Sequence, residues 1–261
     1  MTMADKGFLE KKNPRKTFLF SHVEQTTSTN SDLLNWVKNE SVDAVVVLSA
    51  DRQTAGRGTR GRLWKNPKNA LMFSVAVALS NPIQRYVGVT LTIGVKLVEF
   101  LRSKGLDAAL KWPNDIVVNH RKLAGILVEN TKSKDGVNAL IVGVGLNLEQ
   151  ADFELDEYQA CAVSDFLNQR WTPCLKEQWM ESMVGNIVEA IDEIQEFGLA
   201  KTVTEWKNVA AYQDEMIDLY QDGEIVCTAL VQGIDESGRL LVSTSTGMRA
   251  FMSGMISLRK K

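Results

Sequence analysis

The apolar positions of this chain fall into three regimes. Up to about residue 150 they arrive in runs of strand length: FLFSHVEQ (18–25), AVVVLSA (44–50), ALMFSVAVAL (70–79) and VNALIVGVGLNL (137–148). Their length and composition predict buried β-strands. Two intervening stretches carry a helical period instead. TTSTNSDLLNWVKNE places Leu33, Leu34 and Val37 on one face behind a choice of Ser, Thr and Asn caps, and GVTLTIGVKLVEFLRS (88–103) spaces Leu91, Val95, Val98 and Leu101 for a core helix. ALKWPNDIVVNHRKLAGILVEN (109–130) predicts two strands joined by a turn at Asn119-His120. Within it Lys111 to Asp115 form a compact polar bend, because Pro113 restricts Trp112 and Asn and Asp favour turns.

From Ala162 the period becomes helical, in AVSDFLNQ, LKEQWMESMVGNIVEAIDEIQEF (175–197) and VTEWKNVAAY. From about Gln213 it shortens to four or five strands, with turns at Asp222-Gly223, Ser237-Gly238 and Thr246-Gly247. The predicted architecture is α+β. Residues 1–212 form a mixed β-sheet packed with helices, and residues 213–261 form a small closed C-terminal β-barrel domain. A charged leader before the first strand is expected to fray.

Composition narrows the class. With 261 residues, 44% apolar and 24% charged, the chain suits one substantial core plus a smaller unit. Net charge is -2, so no general nucleic-acid coat is indicated. The first residues lack an apolar signal-peptide region, and no run of 18 apolar residues exists. Cys161, Cys174 and Cys227 match neither a disulfide framework nor a zinc pattern. A reducing cytoplasm is the expected compartment.

Against this even balance one stretch stands apart. Asp51 to Lys65, DRQTAGRGTRGRLWK, holds Arg52, Arg57, Arg60, Arg62 and Lys65 among Gly56, Gly58 and Gly61. Like charges about 4 Å apart in water repel by about 1 kcal/mol, and glycine-rich backbone is costly to order. Such a loop calls for an anionic partner that orders it. The three glycines also satisfy G-x-G-x-x-G, but that dinucleotide motif needs a following helix and an acid roughly 20 positions on. Here a β-like run follows, and residues 76–82 read AVALSNP, so the Rossmann reading fails. Other polar clusters could serve the same partner. Thr27-Ser28-Thr29-Asn30 falls at a helix N-terminus able to hold a small polar ligand, Lys122 enters an apolar strand, and Gly143 and Gly145 permit close backbone approach.

Taken in order, these motifs carry a resemblance. Ser-Thr-Asn before a helix, QTAGRGTRGRLW, KWPNDIVVN, KLAGILVE, GVGLNL and a β-rich end with GIDESGRLLV resemble a biotin protein ligase, over about Ser28 to Arg259. The resemblance implies a biotin/lipoate ligase-like catalytic domain with an SH3-like C-terminal barrel. It implies an ATP-dependent enzyme that makes biotinyl-5'-AMP and then biotinylates a lysine of a biotin carboxyl carrier protein, from acetyl-CoA carboxylase or a related carboxylase. Mg²⁺ is expected on the nucleotide, its protein ligands being left open, and two copies could pair through a sheet edge. Larger members carry an N-terminal DNA-binding domain; only about 20 residues precede the first strand here, so no DNA partner is expected.

By position, the resemblance assigns Ser28, Thr29, Asn30 and Gln53 to the biotin ring, and Gly56, Arg57, Gly58 and Thr59 to its carboxylate and the phosphate. Lys122 is implied as the lysine that reaches the reacting oxygens, with Arg57 beside it in catalysis. Trp64, Arg60, Lys111, Asn114, Asp115, Gly145, Asn147 and Arg259 are implied on the nucleotide side. Two positions depart from the pattern: Thr59 stands where the family commonly has arginine, and Met255 follows Ser253-Gly254 where an acid is usual. The alternatives are a lipoate or octanoate ligase or transferase of the same fold, and a non-catalytic RNA-binding module. The second is poorly supported, since Trp64 is the only aromatic within the basic loop.

Overall fold

The computed structural model describes residues 7–12, 16–65, 69–149, 159–221 and 223–260. The apolar runs form an eight-stranded sheet: β1 (Leu9–Lys12), β2 (Thr17–Thr26), β3 (Val45–Gln53), β4 (Asn69–Ala78), β5 (Ala108–Lys111), β6 (Asp115–Val118), β7 (Arg121–Lys132) and β8 (Asn138–Glu149). Their spatial order is β1-β2-β3-β4-β8-β7-β6-β5. Only β2 and β3 run parallel, so the sheet is mixed.

Burial on both faces explains the unbroken apolar runs. Along β3, Val46 and Leu48 face α1 (Thr29–Asn39) and pack with Leu33 and Val37. Val45 and Val47 point the opposite way, into the cluster of α2 (Val89–Ser103) and α3 (Pro173–Phe197). Each such side chain contributes about 1.5–3 kcal/mol when fully buried, so a polar side chain between the two layers is costly unless it has a hydrogen-bond partner. Ser74, 0% exposed on β4, has one: it bonds Thr29 and Asn30 at the start of α1.

The second sheet is antiparallel, in the order β12-β11-β10-β9-β13, from β9 (Met216–Gln221), β10 (Glu224–Ile234), β11 (Leu240–Thr244), β12 (Gly247–Phe251) and β13 (Ser257–Lys260). It joins the first part through α4 (Ala200–Val209) and the buried Trp206. Trp112 donates from Nε1 to the Gly238 carbonyl at 3.0 Å. Gly238 has φ +74°, and a Cβ there would lie 3.0 Å from Leu91, so any other residue would strain the β10–β11 turn and crowd Leu91.

Three expectations need correction. Residues 109–130 hold parts of three strands rather than two, because the Lys111–Asp115 bend is itself a hairpin turn between β5 and β6. AVSDFLNQ is not a helix: only Val163–Asp165 make a 3-10 turn, since its apolar residues pack on the end of β8 without a helical period long enough to propagate. Part of the leader is ordered, Leu9–Lys12 pairing with β2, while its remainder, residues 1–6 and 13–15, lies outside the described residues.

Candidate active site

The site assembles where α1 begins, where the basic loop leaves β3, and where β7 and β8 lie beneath both. Ser28 caps α1, its Oγ accepting from Ser31 N at 3.5 Å. Capping places the next two side chains against the sheet. Thr29 N donates to Gln53 Oε1 at 2.8 Å, Thr29 Oγ1 lies 2.7 Å from Ser74 Oγ, and Ser74 Oγ donates to Asn30 Oδ1 at 2.5 Å. Ser28, Thr29, Asn30 and Gln53 are all at least nine-tenths buried. Buried hydroxyls and amides must be hydrogen-bonded, and this chain of bonds fixes which way each points. Asn30 also needs space beneath it: a Cβ on Gly143 would fall 2.2 Å from its Oδ1.

The basic loop folds as a small hairpin. Trp64 N donates to Gly56 O at 2.9 Å and Gly58 N to Arg62 O at 2.8 Å, with Arg57 opposite Leu63. Its tip, Arg60 and Gly61, takes positive φ of 58° and 72°. The hairpin lays Trp64 flat on bare backbone. Gly125 and Gly145 are direct cross-strand partners on β7 and β8, and a Cβ would come within 3.2 and 2.4 Å of the Trp64 ring, respectively. Any side chain at Gly145 would push the indole out.

Lys122, near the start of β7, lies 2.5 Å from Asp115 on β6 and 5.8 Å from the Trp64 ring centroid. Its main chain is clamped as well. Lys122 N donates to Gln159 O and Cys161 N to Lys122 O, both at 2.8 Å, while Asn147 Nδ2 donates to Cys161 O at 2.9 Å. Asn147 Oδ1 is a buried acceptor with no partner among the described residues, facing the same space. Burial pushes the Cys161 thiol up to about 12, with the Arg121 charge opposing it, so Cys161 is an inert buried group rather than a nucleophile.

These groups line one cavity of about 380 Å³. It brings together Ser28, Thr29, Asn30 and Gln53 at one end and Arg57, Gly58 and Thr59 along the loop. Lys122, Asp115, Asn114, Asn147, Gly145 and Trp64 line the rest. Four residues implied by the motif order are not on its wall. Gly56 sits under the hairpin, where a Cβ would be 3.1 Å from Trp64, so it shapes the loop. Arg60 points away from the cavity and donates to Ile256 O at 2.7 Å, because its left-handed backbone turns it outward toward the second sheet. Lys111 is 4% exposed at the end of β5, and the Arg259 guanidinium stacks 4.3 Å over Tyr220 within the second sheet.

Arg62 and Lys65, read from the sequence only as part of the basic loop, also line the cavity, and other lining residues carried no signal of their own: Leu63 in the loop, Phe73 on β4, Ile126 and Leu127 on β7. Glu129 on β7 is a further one. It receives Arg57 in a two-pronged pair at 2.7 and 3.1 Å and Asn30 Nδ2 at 3.0 Å, yet stands in the sequence as a lone acid at the end of an apolar run.

Known proteins resemble this chain in sequence and fold. Residues 22–147 match the Biotin/lipoate A/B protein ligase family and residues 216–259 the Biotin protein ligase C terminal domain. The bifunctional ligase/repressor BirA of Salmonella typhimurium is 32% identical over 243 residues, 89% of this chain and 72% of that protein. The biotin--[acetyl-CoA-carboxylase] ligase of Paracoccus denitrificans is 28% identical over 86% of this chain and 94% of its own length. Among solved structures, the biotin protein ligase from Aquifex aeolicus in complex with biotin and ATP superposes with a TM-score of 0.77 at 26% identity, covering 93% of this chain and 99% of the other. On these grounds the chain belongs to the biotin protein ligase family.

Proposed function

We propose that the chain is an ATP-dependent biotin protein ligase working in two steps at the cavity described above. A carboxylate oxygen of biotin attacks the α-phosphorus of ATP, forming the acyl-phosphate bond of biotinyl-5'-AMP and expelling pyrophosphate. The amine of a lysine on a biotin carboxyl carrier protein then attacks the acyl carbon, forming an amide and releasing AMP. One observation carries this reading: a buried array of hydroxyl and amide groups lies in the same cavity as Lys122 and Arg57, under a basic hairpin. The array suits a neutral ring that both donates and accepts hydrogen bonds; the cations suit two anions that must be brought together.

Each residue then has a physical role. Ser28, Thr29, Asn30 and Gln53 hold the ureido ring, their orientations fixed by mutual bonds before any ligand arrives. Arg57 with Gly58 and Thr59 lies along the carboxylate and α-phosphate, where guanidinium geometry fits oxyanions. Lys122 meets the charge that builds on the phosphoryl and acyl oxygens. Trp64 offers a flat apolar face to the adenylate, bordered by Asn114, Asp115, Gly145 and Asn147. A closed hairpin also keeps water from the anhydride.

Mg²⁺ would enter on the nucleotide. Among the described residues no three His, Cys, Asp or Glu side chains converge, and Asp115 and Glu129 are held by Lys122 and Arg57. Mg²⁺ commonly takes its ligands from phosphate and water with only one or two carboxylates, so this donor set fits nucleotide-borne metal and no all-protein cage. We assign residues 1–212 to the catalytic unit and 213–261 to the smaller one, a division supported by the end of α4 at Val209 and the start of β9 at Met216. No described helix is long and apolar enough to cross a membrane; the cytoplasm remains our assignment from cysteine usage.

The purified chain with ATP, Mg²⁺ and radiolabelled biotin should label an apo carrier domain from a biotin-dependent carboxylase. Absence of label would overturn the reading. Calorimetry with lipoate in place of biotin should show no comparable binding, which excludes the lipoate alternative.

A further inference from the structure

We propose that Glu129 is a positioning residue that ties the ring-binding end of the cavity to the anion-binding arginine; this rests on the ligase reading above. Its Oε1 accepts from Arg57 Nη2 at 2.7 Å, and its Oε2 accepts from both Arg57 Nη1 at 3.1 Å and Asn30 Nδ2 at 3.0 Å. One carboxylate thus sets the direction of two side chains assigned to different parts of the substrate.

Arg57 needs such a partner for an electrostatic reason. Its Nη1 also reaches Ser31 Oγ at 3.4 Å, in the first turn of α1. A helix N-terminus carries about half a positive charge, so a guanidinium placed there is repelled unless an anion offsets it. Asp32, in the same turn, accepts from Thr26 at 2.7 Å, whereas Glu129 grips the guanidinium on two prongs. Without its charge Arg57 would swing from α1, taking the hairpin with it. Asn30 is held at both ends of its amide: Ser74 donates to its Oδ1, which leaves Nδ2 to donate to Glu129 at 3.0 Å and to the Leu127 carbonyl at 3.4 Å. The second Oδ1 lone pair is then left for a ligand N–H.

The two contacts can be separated chemically. Glu129→Gln keeps an oxygen for Asn30 but loses the charge for Arg57; Glu129→Ala loses both. Misplacing a reacting group by about 1 Å can cost up to about a hundredfold in rate. For the full chain, Glu129→Gln should therefore lower kcat for biotin-dependent pyrophosphate release by roughly 10- to 100-fold while KM for biotin stays within about threefold. Glu129→Ala should lose kcat similarly and raise KM for biotin by about tenfold as well. In an Arg57→Gln background, Glu129→Gln should cost little more, because the lost interaction is already absent. Thermal melting of each variant separates a folding defect from positioning. The proposal is overturned if both variants behave as wild type, if both lose kcat and KM in parallel with a lowered melting temperature, or if the losses add fully in the double variant. A wild-type chain that releases no pyrophosphate would instead sink the ligase reading itself.

Discussion

At Lys122 the residue scale is where chemistry and packing meet most closely. Its ammonium is 2.5 Å from Asp115, and its main chain is bonded on both sides by residues 159–161, so the side chain leaves a fixed root. Glutamine there keeps length and polarity but removes the charge that would meet the transition-state oxyanion. Lys122→Gln should reduce adenylate formation by at least about a hundredfold, a size typical for loss of one fixed electrostatic donor, in a variant that still folds but melts at a lower temperature because the ion pair to Asp115 is lost. Normal turnover in a pyrophosphate-release assay would remove Lys122 from the mechanism. Gly143 makes the complementary point. A methyl there would sit 2.2 Å from Asn30 Oδ1, and Asn30 has no room to yield with Ser74 on one side and Glu129 on the other. Gly143→Ala should weaken biotin binding at least about tenfold by calorimetry, since a displaced Asn30 leaves a ligand N–H unpaired; unchanged affinity would place the ring elsewhere. Both residues were legible in the chain, as a lysine entering an apolar strand and a glycine inside one. Glu129 was not, because its role depends on a loop more than 70 positions away in the sequence.

At the scale of elements, what could be read depended on how local the cause was. Strands β2, β3, β4 and β8 and helices α1, α2 and α3 follow from runs and periods contained within each segment, and their observed bounds fall close to the predicted ones, whereas β1 and the β5–β6 hairpin do not. The basic loop was legible as composition but not as shape. Its hairpin is set by a turn with left-handed Arg60 and Gly61, and by an indole seated on Gly125 and Gly145, neither of which is visible from spacing. Arg60, placed on the nucleotide side by the resemblance, donates to Ile256 O and so ties the loop tip to the start of β13. A hydrogen bond from a charged donor contributes about 1.5–3 kcal/mol net. Because Arg60 is exposed, solvent screening reduces that to about 1 kcal/mol. Arg60→Ala should therefore speed amide hydrogen exchange at Gly58 and Trp64 by about fivefold; equal protection in the variant would show that the loop is held without the tether.

At the scale of the whole molecule, one apolar cluster runs from the main sheet through α2, α3 and α4 into the second sheet, and a charged cluster, buried at its centre and exposed at its ends, lies at its edge. Lys96 on α2 and Glu193 on α3 are each 8% exposed and 3.1 Å apart, with Lys201 of α4 2.6 Å from Glu193 and Glu189 3.0 Å from Lys96. Burial disfavours the charged form of both central groups. In Glu193 the bonds from Lys201 and Lys96 outweigh it and hold the carboxyl below its ordinary 4.5. In Lys96 the two glutamates likewise outweigh burial and hold the ammonium above 10.5. A depressed carboxyl adds stability that is fully present above its unfolded value and lost as pH falls through the folded one; a raised ammonium adds stability lost only as pH rises beyond 10.5. The network should thus hold the three helices evenly from about pH 5 to 10. Breaking a buried pair costs about 3–5 kcal/mol, and Lys96 keeps Glu189, so Glu193→Gln should cost about 3 kcal/mol at pH 7 in denaturant unfolding. The gap between variant and wild type should then narrow as pH falls below about 4.5, where the wild-type carboxyl takes up its proton. A gap that stays constant from pH 7 to pH 3 would mean that Glu193 contributes through packing and not through its charge.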